Sequence, residues 1–297
     1  MRKILLITVS ILIVLSSAGC ANGSSGTSTE AAAADMNRAV AAELSVSSAE
    51  SAPRISIQGS ADVLSYMLAL SDAYKAEYAN AVVDVVAVGR EEALEAAQTG
   101  EADVAVFTVE SLSEVPPGAD IAAYACISVI VHPDNEISSL TSEDIIDIFI
   151  GDLTNWGWIG GADAEIELVV PDKDVPLRQL FEIILPLRST TGIAKSLIPG
   201  DAQTFADEAS VIQAVAEDKN AIGICWATVE DSSVISVDVD GIPISDASVS
   251  DGSYILSRPI VLMSGTDESL SMPPIPEFAK NGQMIQVTRS LGLWPIK

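Results

Sequence analysis

A single histidine in 297 residues limits proton-transfer chemistry from the outset. His132 stands in the turn-like run His132-Pro133-Asp134-Asn135, directly after a β-branched stretch. Closing a strand is a simpler use of that imidazole than general acid–base work. The chain has no Gly-x-Ser-x-Gly elbow, no Gly-rich phosphate loop ending in Lys-Ser/Thr and no His-Glu-x-x-His helix, so hydrolase, nucleotide and zinc-protease chemistry all lack their usual machinery. Cys126 and Cys225 sit inside apolar runs and read as buried thiols, and one histidine with two such thiols is too few ligands for zinc. Asp144 and Asp147 fall at helical spacing on a solvated face, and Asp238-Val239-Asp240 precedes a Gly241 turn. Neither follows the spacing of a calcium loop. Trp156 and Trp158 flank Gly157; one packed in the core and one exposed explains the pair more simply than a sugar- or peptide-binding surface. No catalytic residue, metal site or cofactor is expected. Binding is the chemistry that remains.

Charge narrows the partners. Lys and Arg number 15 against 42 Asp and Glu, a net charge of −27. Nucleic acid and anionic lipid surfaces both need basic side chains to neutralise phosphate, so neither is expected as a general partner. The N-terminus indicates export. Met1-Arg2-Lys3 precedes an apolar run from Ile4 to Leu15, too short for the roughly 20 residues of a membrane-spanning helix. Ser17-Ala18-Gly19-Cys20 resembles a lipobox with serine in place of the usual leucine, which makes residues 1–19 a signal peptide and Cys20 the lipidated mature N-terminus. An uncleaved anchor and plain secretion are the alternatives, and all three place the remaining chain outside the cytoplasm. Residues 20–53 are rich in Ala, Ser, Gly and Thr and read as a flexible linker from the lipid anchor, with a marginal Ala-rich helix available over Thr29 to Leu44.

From Arg54 onward strand and helix signals alternate. Arg54 to Gly59, Val82 to Val88, Asp103 to Phe107 and Ile127 to Val131 are strands by their β-branched content. Between them, Val63 to Tyr78 has helical spacing, with Leu64, Met67, Leu68, Ala69 and Tyr74 available for one face, and Glu91 to Thr99 is a short helix closed by Gly100. The second half repeats the theme. Helices are expected over Ser142 to Ile150, capped by Thr141 or Ser142, over Leu177 to Leu185 and over Ser210 to Ala216. Strands are expected over Glu165 to Val170 and Ala221 to Trp226, then an extended segment from Tyr254 to Met263 and a helix from about Pro276. Such alternation implies an α/β fold with a mostly parallel sheet and helices on both faces.

Three blocks in order carry a family resemblance. Leu140-Thr-Ser-Glu-Asp-Ile-Ile-Asp-Ile-Phe-Ile-Gly-Asp-Leu-Thr-Asn-Trp156, the run Val211 to Gly223, and Asp251-Gly-Ser-Tyr-Ile-Leu-Ser-Arg-Pro259 resemble segments of the phosphate-binding proteins of ABC importers, and Gly59-Ser60 resembles their first loop. The resemblance covers Arg54 to Lys297. It implies a type II periplasmic-binding-protein fold: two α/β lobes joined by two crossing strands, with residues 54–127 and 254–297 in lobe one and 128–253 in lobe two. It also implies a small solute, an oxyanion being one class, held between the lobes, and a separate membrane permease as partner.

At the ligand motifs the chain departs from that family. The second-lobe motif "R-x-x-G-S-G-T" is replaced by Pro171-Asp-Lys-Asp-Val-Pro-Leu-Arg178, and the loops after the first three strands become Ser60-Ala61-Asp62, Gly89-Arg90 and Phe107-Thr108. Proline supplies no N–H, and Asp172 and Asp174 repel an anion. Two readings follow. In one, Ser60, Ala61, Asp62, Arg90, Thr108, Lys173 and Arg178 form a mixed-charge pocket for a solute other than phosphate. In the other, the cleft is vestigial and the tethered domain is a surface sensor or interaction protein.

Overall fold

A computed structural model describes residues 54–188, 195–228, 231–266 and 274–296. The expected signal peptide, Cys20 and the linker to residue 53 lie outside the described residues. Ala52–Lys297 forms one compact unit. It opens with β1 (Arg54–Ser60), a 3-10 turn at Ala61–Val63, and α1 (Leu64–Glu77). On α1 the buried stripe is Tyr66, Met67, Leu70, Ala73 and Tyr74, which follows the helical period. Leu68, expected inward, lies off that stripe and is 49% exposed. Next come β2 (Val82–Val88), α2 (Arg90–Thr99) and β3 (Val104–Thr108). Gly100 ends α2 in the left-handed region (φ 75°), and its N–H reaches the carbonyls of Ala96 and Ala97.

β4 (Asp120–Val131) is followed by the short β5 (Ser139–Leu140) and α3 (Ser142–Ile150). Thr141 caps α3 in a reciprocal box with Asp144. Then follow β6 (Glu167–Pro171), α4 (Pro176–Ile184), β7 (Gln203–Phe205), α5 (Glu208–Glu217) and β8 (Ala221–Trp226). The chain continues through β9 (Ile235–Ser236), β10 (Asp238–Val239), α6 (Asp246–Ser250) and β11 (Ser257–Ser264). It closes with α7 (Ile275–Phe278), α8 (Gly282–Ser290) and β12 (Trp294–Pro295). The one C-terminal helix expected from Pro276 is thus two, because the chain turns at Ala279–Asn281 and Asn281 caps a new start through the Met284 N–H.

The main sheet runs β2-β1-β3-β11-β4-β8-β6-β7. Its outer strands are parallel within each half, β2-β1-β3 on one side and β8-β6-β7 on the other. The two central strands break the pattern: β11 runs antiparallel to β3 and β4, and β4 antiparallel to β8. The sheet is therefore mixed, since strands that cross between halves must run against the local direction. Two main cores flank this centre. One gathers Ile57, Met67, Leu70, Tyr74, Val106 and Phe278. The other gathers Ile127, Phe149, Trp156, Phe181, Ile222 and Tyr254. Among the described residues no helix is long and apolar enough to cross a membrane.

Trp156 is 1% exposed and its indole N–H donates to the Asn220 carbonyl at 2.9 Å, whereas Trp158 is 67% exposed. Trp156→Ala is expected to cost about 3–5 kcal/mol. Trp158→Ala should stay within about 0.5 kcal/mol. Urea unfolding of the two variants checks the contrast.

Candidate functional site

The C-terminal ends of β1, β2 and β3 share one edge because the three strands are parallel and adjacent. The residues that leave them are brought together there. Thr108 Oγ1 donates to Asp62 Oδ2 at 2.6 Å, across the mouth between β3 and the 3-10 turn. Ser60 Oγ is buried with no hydrogen-bond partner, and Ala61 is exposed beside it. Arg90 opens α2, with its guanidinium 3.5 Å from a Glu114 oxygen and 5.6 Å from the Phe107 ring centroid. Ser60, Ala61, Asp62, Arg90 and Thr108 thus occupy one rim.

Lys173 and Arg178 are placed differently. Lys173 is exposed in the turn before α4 and makes no ion pair among the described residues; its carbonyl accepts from Gln179 Nε2. Arg178 points inward and is 6% exposed. Its Nε donates to Glu182 Oε1 at 2.9 Å, Nη1 to the Pro171 carbonyl at 3.0 Å and Nη2 to Ser196 Oγ at 3.3 Å. Ser196 Oγ also donates to Glu182 Oε1 at 2.6 Å, and Arg188 Nε meets Glu182 Oε2 at 3.0 Å. The Arg178 guanidinium is consumed by this network, which ties α4 to the chain that follows it. Pro176 takes the first helical position of α4, so that start lacks one donor N–H.

A cavity of about 400 Å³ opens beside the lobe-one rim, where both halves meet the crossing strands. Glu110, Ser111 and Leu112 form one wall, and Ile184 and Asp251 the other. Tyr254 and Arg258 belong to the segment beneath. The Tyr254 hydroxyl donates to the Ile127 carbonyl at 2.9 Å and fixes that segment. Arg258 is half-buried, held by the Ser257 carbonyl at 2.9 Å and the Ile255 carbonyl at 3.4 Å, and forms no ion pair among the described residues. Burial lowers its pKa, and the fields of Glu110 and Glu114 oppose that shift. Sequence reasoning took Tyr254 to Pro259 as a structural return strand and missed Arg258. The Arg-Pro pair at the start of that strand was the available signal. A second cavity of similar volume lies between β7 and α5, bordered by Glu167, Glu217 and Asp218, at the opposite ends of the lobe-two strands.

At the C-terminal end of β8, Glu208 accepts a hydrogen bond from the Trp226 N–H. Burial raises the Glu208 pKa, and that hydrogen bond partly offsets the rise. Cys126 and Cys225 are free and buried, and burial pushes both thiols well above their ordinary range.

Two halves sharing crossing strands, with a cavity at the junction, define a two-lobed α/β fold of the type II periplasmic-binding-protein class. A profile of the PBP superfamily domain matches residues 44–280, and the chain belongs to that family. It is similar to phosphate-binding protein PstS 2 of Streptococcus pneumoniae, 30% identical over 105 residues, which cover 35% of this chain and 36% of that protein. Phosphate-binding protein PstS of Bacillus subtilis is 24% identical over 208 residues, 67% of this chain and 66% of its own length. Among solved structures, PstS from Borrelia burgdorferi superposes with a TM-score of 0.67 at 19% identity, covering 82% of this chain and 99% of that one. An ABC-type phosphate transport receptor from Vibrio cholerae gives a TM-score of 0.63 at 22% identity, with 81% and 99% covered. These likenesses support the fold.

The Arg178–Glu182–Arg188 network predicts an asymmetry. Glu182→Ala strands a buried guanidinium and is expected to cost about 3–5 kcal/mol. The Arg188 side chain is 35% exposed, and Arg188→Ala should cost no more than about 1 kcal/mol. Denaturant unfolding measures both. Glu208 gives a pH signature. Its pKa is higher folded than unfolded, so its contribution is present below the ordinary Glu range and is lost as pH rises through the folded value. Glu208→Gln removes that loss. The variant's stability relative to the parent should therefore climb from about pH 4 to pH 7, read by urea midpoints across that range.

Proposed function

We propose that this chain is the non-catalytic solute-binding component of an ABC importer, held outside the cytoplasm on the membrane by a lipid on Cys20, and that its ligand is not phosphate bound in the family manner. Residues 1–19 are then the signal peptide and 20–53 the leash. Lobe one is 54–127 with 254–297, and lobe two is 128–253. A membrane permease receives the solute when the lobes close on it.

One observation carries this reading: a cavity of about 400 Å³ bounded by both halves and by the strands that join them, with a half-buried, unpaired Arg258 beside it. Small-solute sites gather at such junctions and combine apolar walls with few polar groups. The loss of the phosphate clamp is supported at three places. Arg178 is bound to Glu182, Pro176 begins α4, and Asp62 stands at the lobe-one rim. In this proposal Ser60, Ala61, Asp62, Arg90 and Thr108 form the adjoining rim of lobe one, and neither they nor Lys173 line the cavity itself. Arg178 serves α4 instead.

A ligand-free surface sensor or interaction protein is the second reading. Leu180 favours it, because this α4 residue packs against both main cores and fills space between them.

Thermal unfolding of the protein with phosphate, sulfate, molybdate, amino acids, sugars and calcium separates the readings. A specific solute at about 100 times its Kd adds about 2.7 kcal/mol, a rise of several degrees. Phosphate is expected to leave Tm unchanged while one other solute raises it. A rise with phosphate restores the family ligand, and silence across the panel supports the second reading.

A further inference from the structure

The charges around Arg258 specify more than a generic solute. We infer that the cavity beside Arg258 takes an amphiphilic zwitterion, a small molecule carrying a carboxylate, an ammonium group and an apolar body, of which an apolar α-amino acid is the simplest case. The inference rests on the solute-binding reading above and names the class of ligand.

Three charged residues border the cavity: Arg258, Glu110 and Asp251. Glu114, the other carboxylate near Arg258, already faces Arg90 at 3.5 Å and accepts the Glu110 N–H at 3.4 Å. The Glu110 carboxylate itself has no hydrogen-bond or ion-pair partner among the described residues. Asp251 accepts from Ser253 through the serine side chain and through the Ser253 N–H, the latter 2.8 Å from Oδ1, and both lower its pKa and keep it ionised. One cation and two anions therefore border the space, and none of the three is in an ion pair among the described residues.

That set discriminates among ligand classes. A bare oxyanion meets one guanidinium and two carboxylates, so the net field opposes it. A simple cation is drawn to Glu110 and Asp251 but competes with Arg258 for the field of Glu110 and leaves the guanidinium with backbone carbonyls as its only hydrogen-bond acceptors among the described residues. A zwitterion answers both, with its carboxylate as the forked partner that a guanidinium prefers and its ammonium between the acidic residues. Leu112, Ile184 and Val249 then supply an apolar wall. A neutral sugar fits less well, since no Asn, Gln or Trp borders the cavity and the Tyr254 hydroxyl is spent on the Ile127 carbonyl. The volume of about 400 Å³ lies toward the lower end of small-molecule sites and excludes long peptides.

Calorimetric titration of the protein with L-leucine, L-leucinamide and 4-methylpentanoate tests this, with L-methionine, L-phenylalanine, L-valine, phosphate and maltose run alongside. At least one amino acid is expected to saturate. For leucine, deleting either charge should weaken binding by tenfold or more. Arg258→Gln should abolish the preference for leucine over leucinamide, and Glu110→Gln the preference for leucine over 4-methylpentanoate. Glu110 is exposed, so its variant tests the charge logic even if Arg258→Gln fails to fold. Equal binding of leucine and its charge-deleted analogues overturns the inference, as does silence from all four amino acids. Saturation by phosphate or maltose instead overturns the zwitterion class while solute binding stands. Silence from every compound overturns both.

Discussion

Strand β4 is the element that both halves require. Ten consecutive residues, Ala122 to Val131, are buried, a continuous run possible only where both faces of a sheet are covered. Its first part pairs with β11 through Cys126, and from Ile127 onward it pairs with β8. At that switch the Tyr254 hydroxyl binds the Ile127 carbonyl at 2.9 Å, locking the second connecting segment to the first. The β4–β11 pairing ends at Ser257 and Cys126, and Tyr124, Tyr254, Ser257 and Arg258 at that end border the junction cavity. Register also places the cation: Arg258 pairs with Ala125 one step from the switch.

Charge acts on a different scale. In a chain with 42 acidic residues, six of the eleven lysines and arginines among the described residues find a carboxylate. Arg54, Lys75, Arg90, Arg178, Arg188 and Lys280 all form ion pairs. Among the described residues the unpaired Lys and Arg other than Arg258 are Lys173, Lys195, Lys219 and Arg289, and all four are exposed, where water solvates them. Arg258 alone combines partial burial with no partner. The surface of α4 shows the converse. There a buried carboxylate, Glu182, gathers two arginines and a serine hydroxyl, and one removed partner would leave a charge in low dielectric.

Most of the fold was legible in the sequence because it depends on local periodicity and caps. The β-branched runs became strands, Thr141 capped α3, Gly100 closed α2, and Trp156 and Trp158 divided as core and surface. What stayed hidden depends on long-range geometry. Strand direction across the centre is set by where β11 returns, which no local pattern encodes. Leu68 and Tyr66 are both apolar enough for a core, and only the docking angle of α1 decides between them. Strand order brings Ser60, Ala61, Asp62, Arg90 and Thr108 to one edge, but none of them lines the junction cavity. The direction of Arg178 does not follow from strand order, because its partners Glu182, Arg188 and Ser196 lie on later segments that fold back onto it.

The same separation explains how a binding fold can keep its frame while its site changes. Gly59 is held by the sheet: a Cβ there would sit 2.2 Å from the Val106 carbonyl oxygen, whatever the ligand. Gly223 is similarly confined, with a Cβ meeting Val215 at 2.9 Å. The residues just beyond such fixed points carry no comparable packing constraint. Thr108 sits where a hydroxyl can donate to an anion, yet it gives its proton to Asp62. At that one contact only lone pairs and a carboxylate are left over, whereas the Ser60 hydroxyl and the Arg90 guanidinium keep donors on the same rim. The acidic residues that border the cavity, Glu110 and Asp251, thus complement a positively charged group on the proposed solute, while Arg258 offers a place for its negative one.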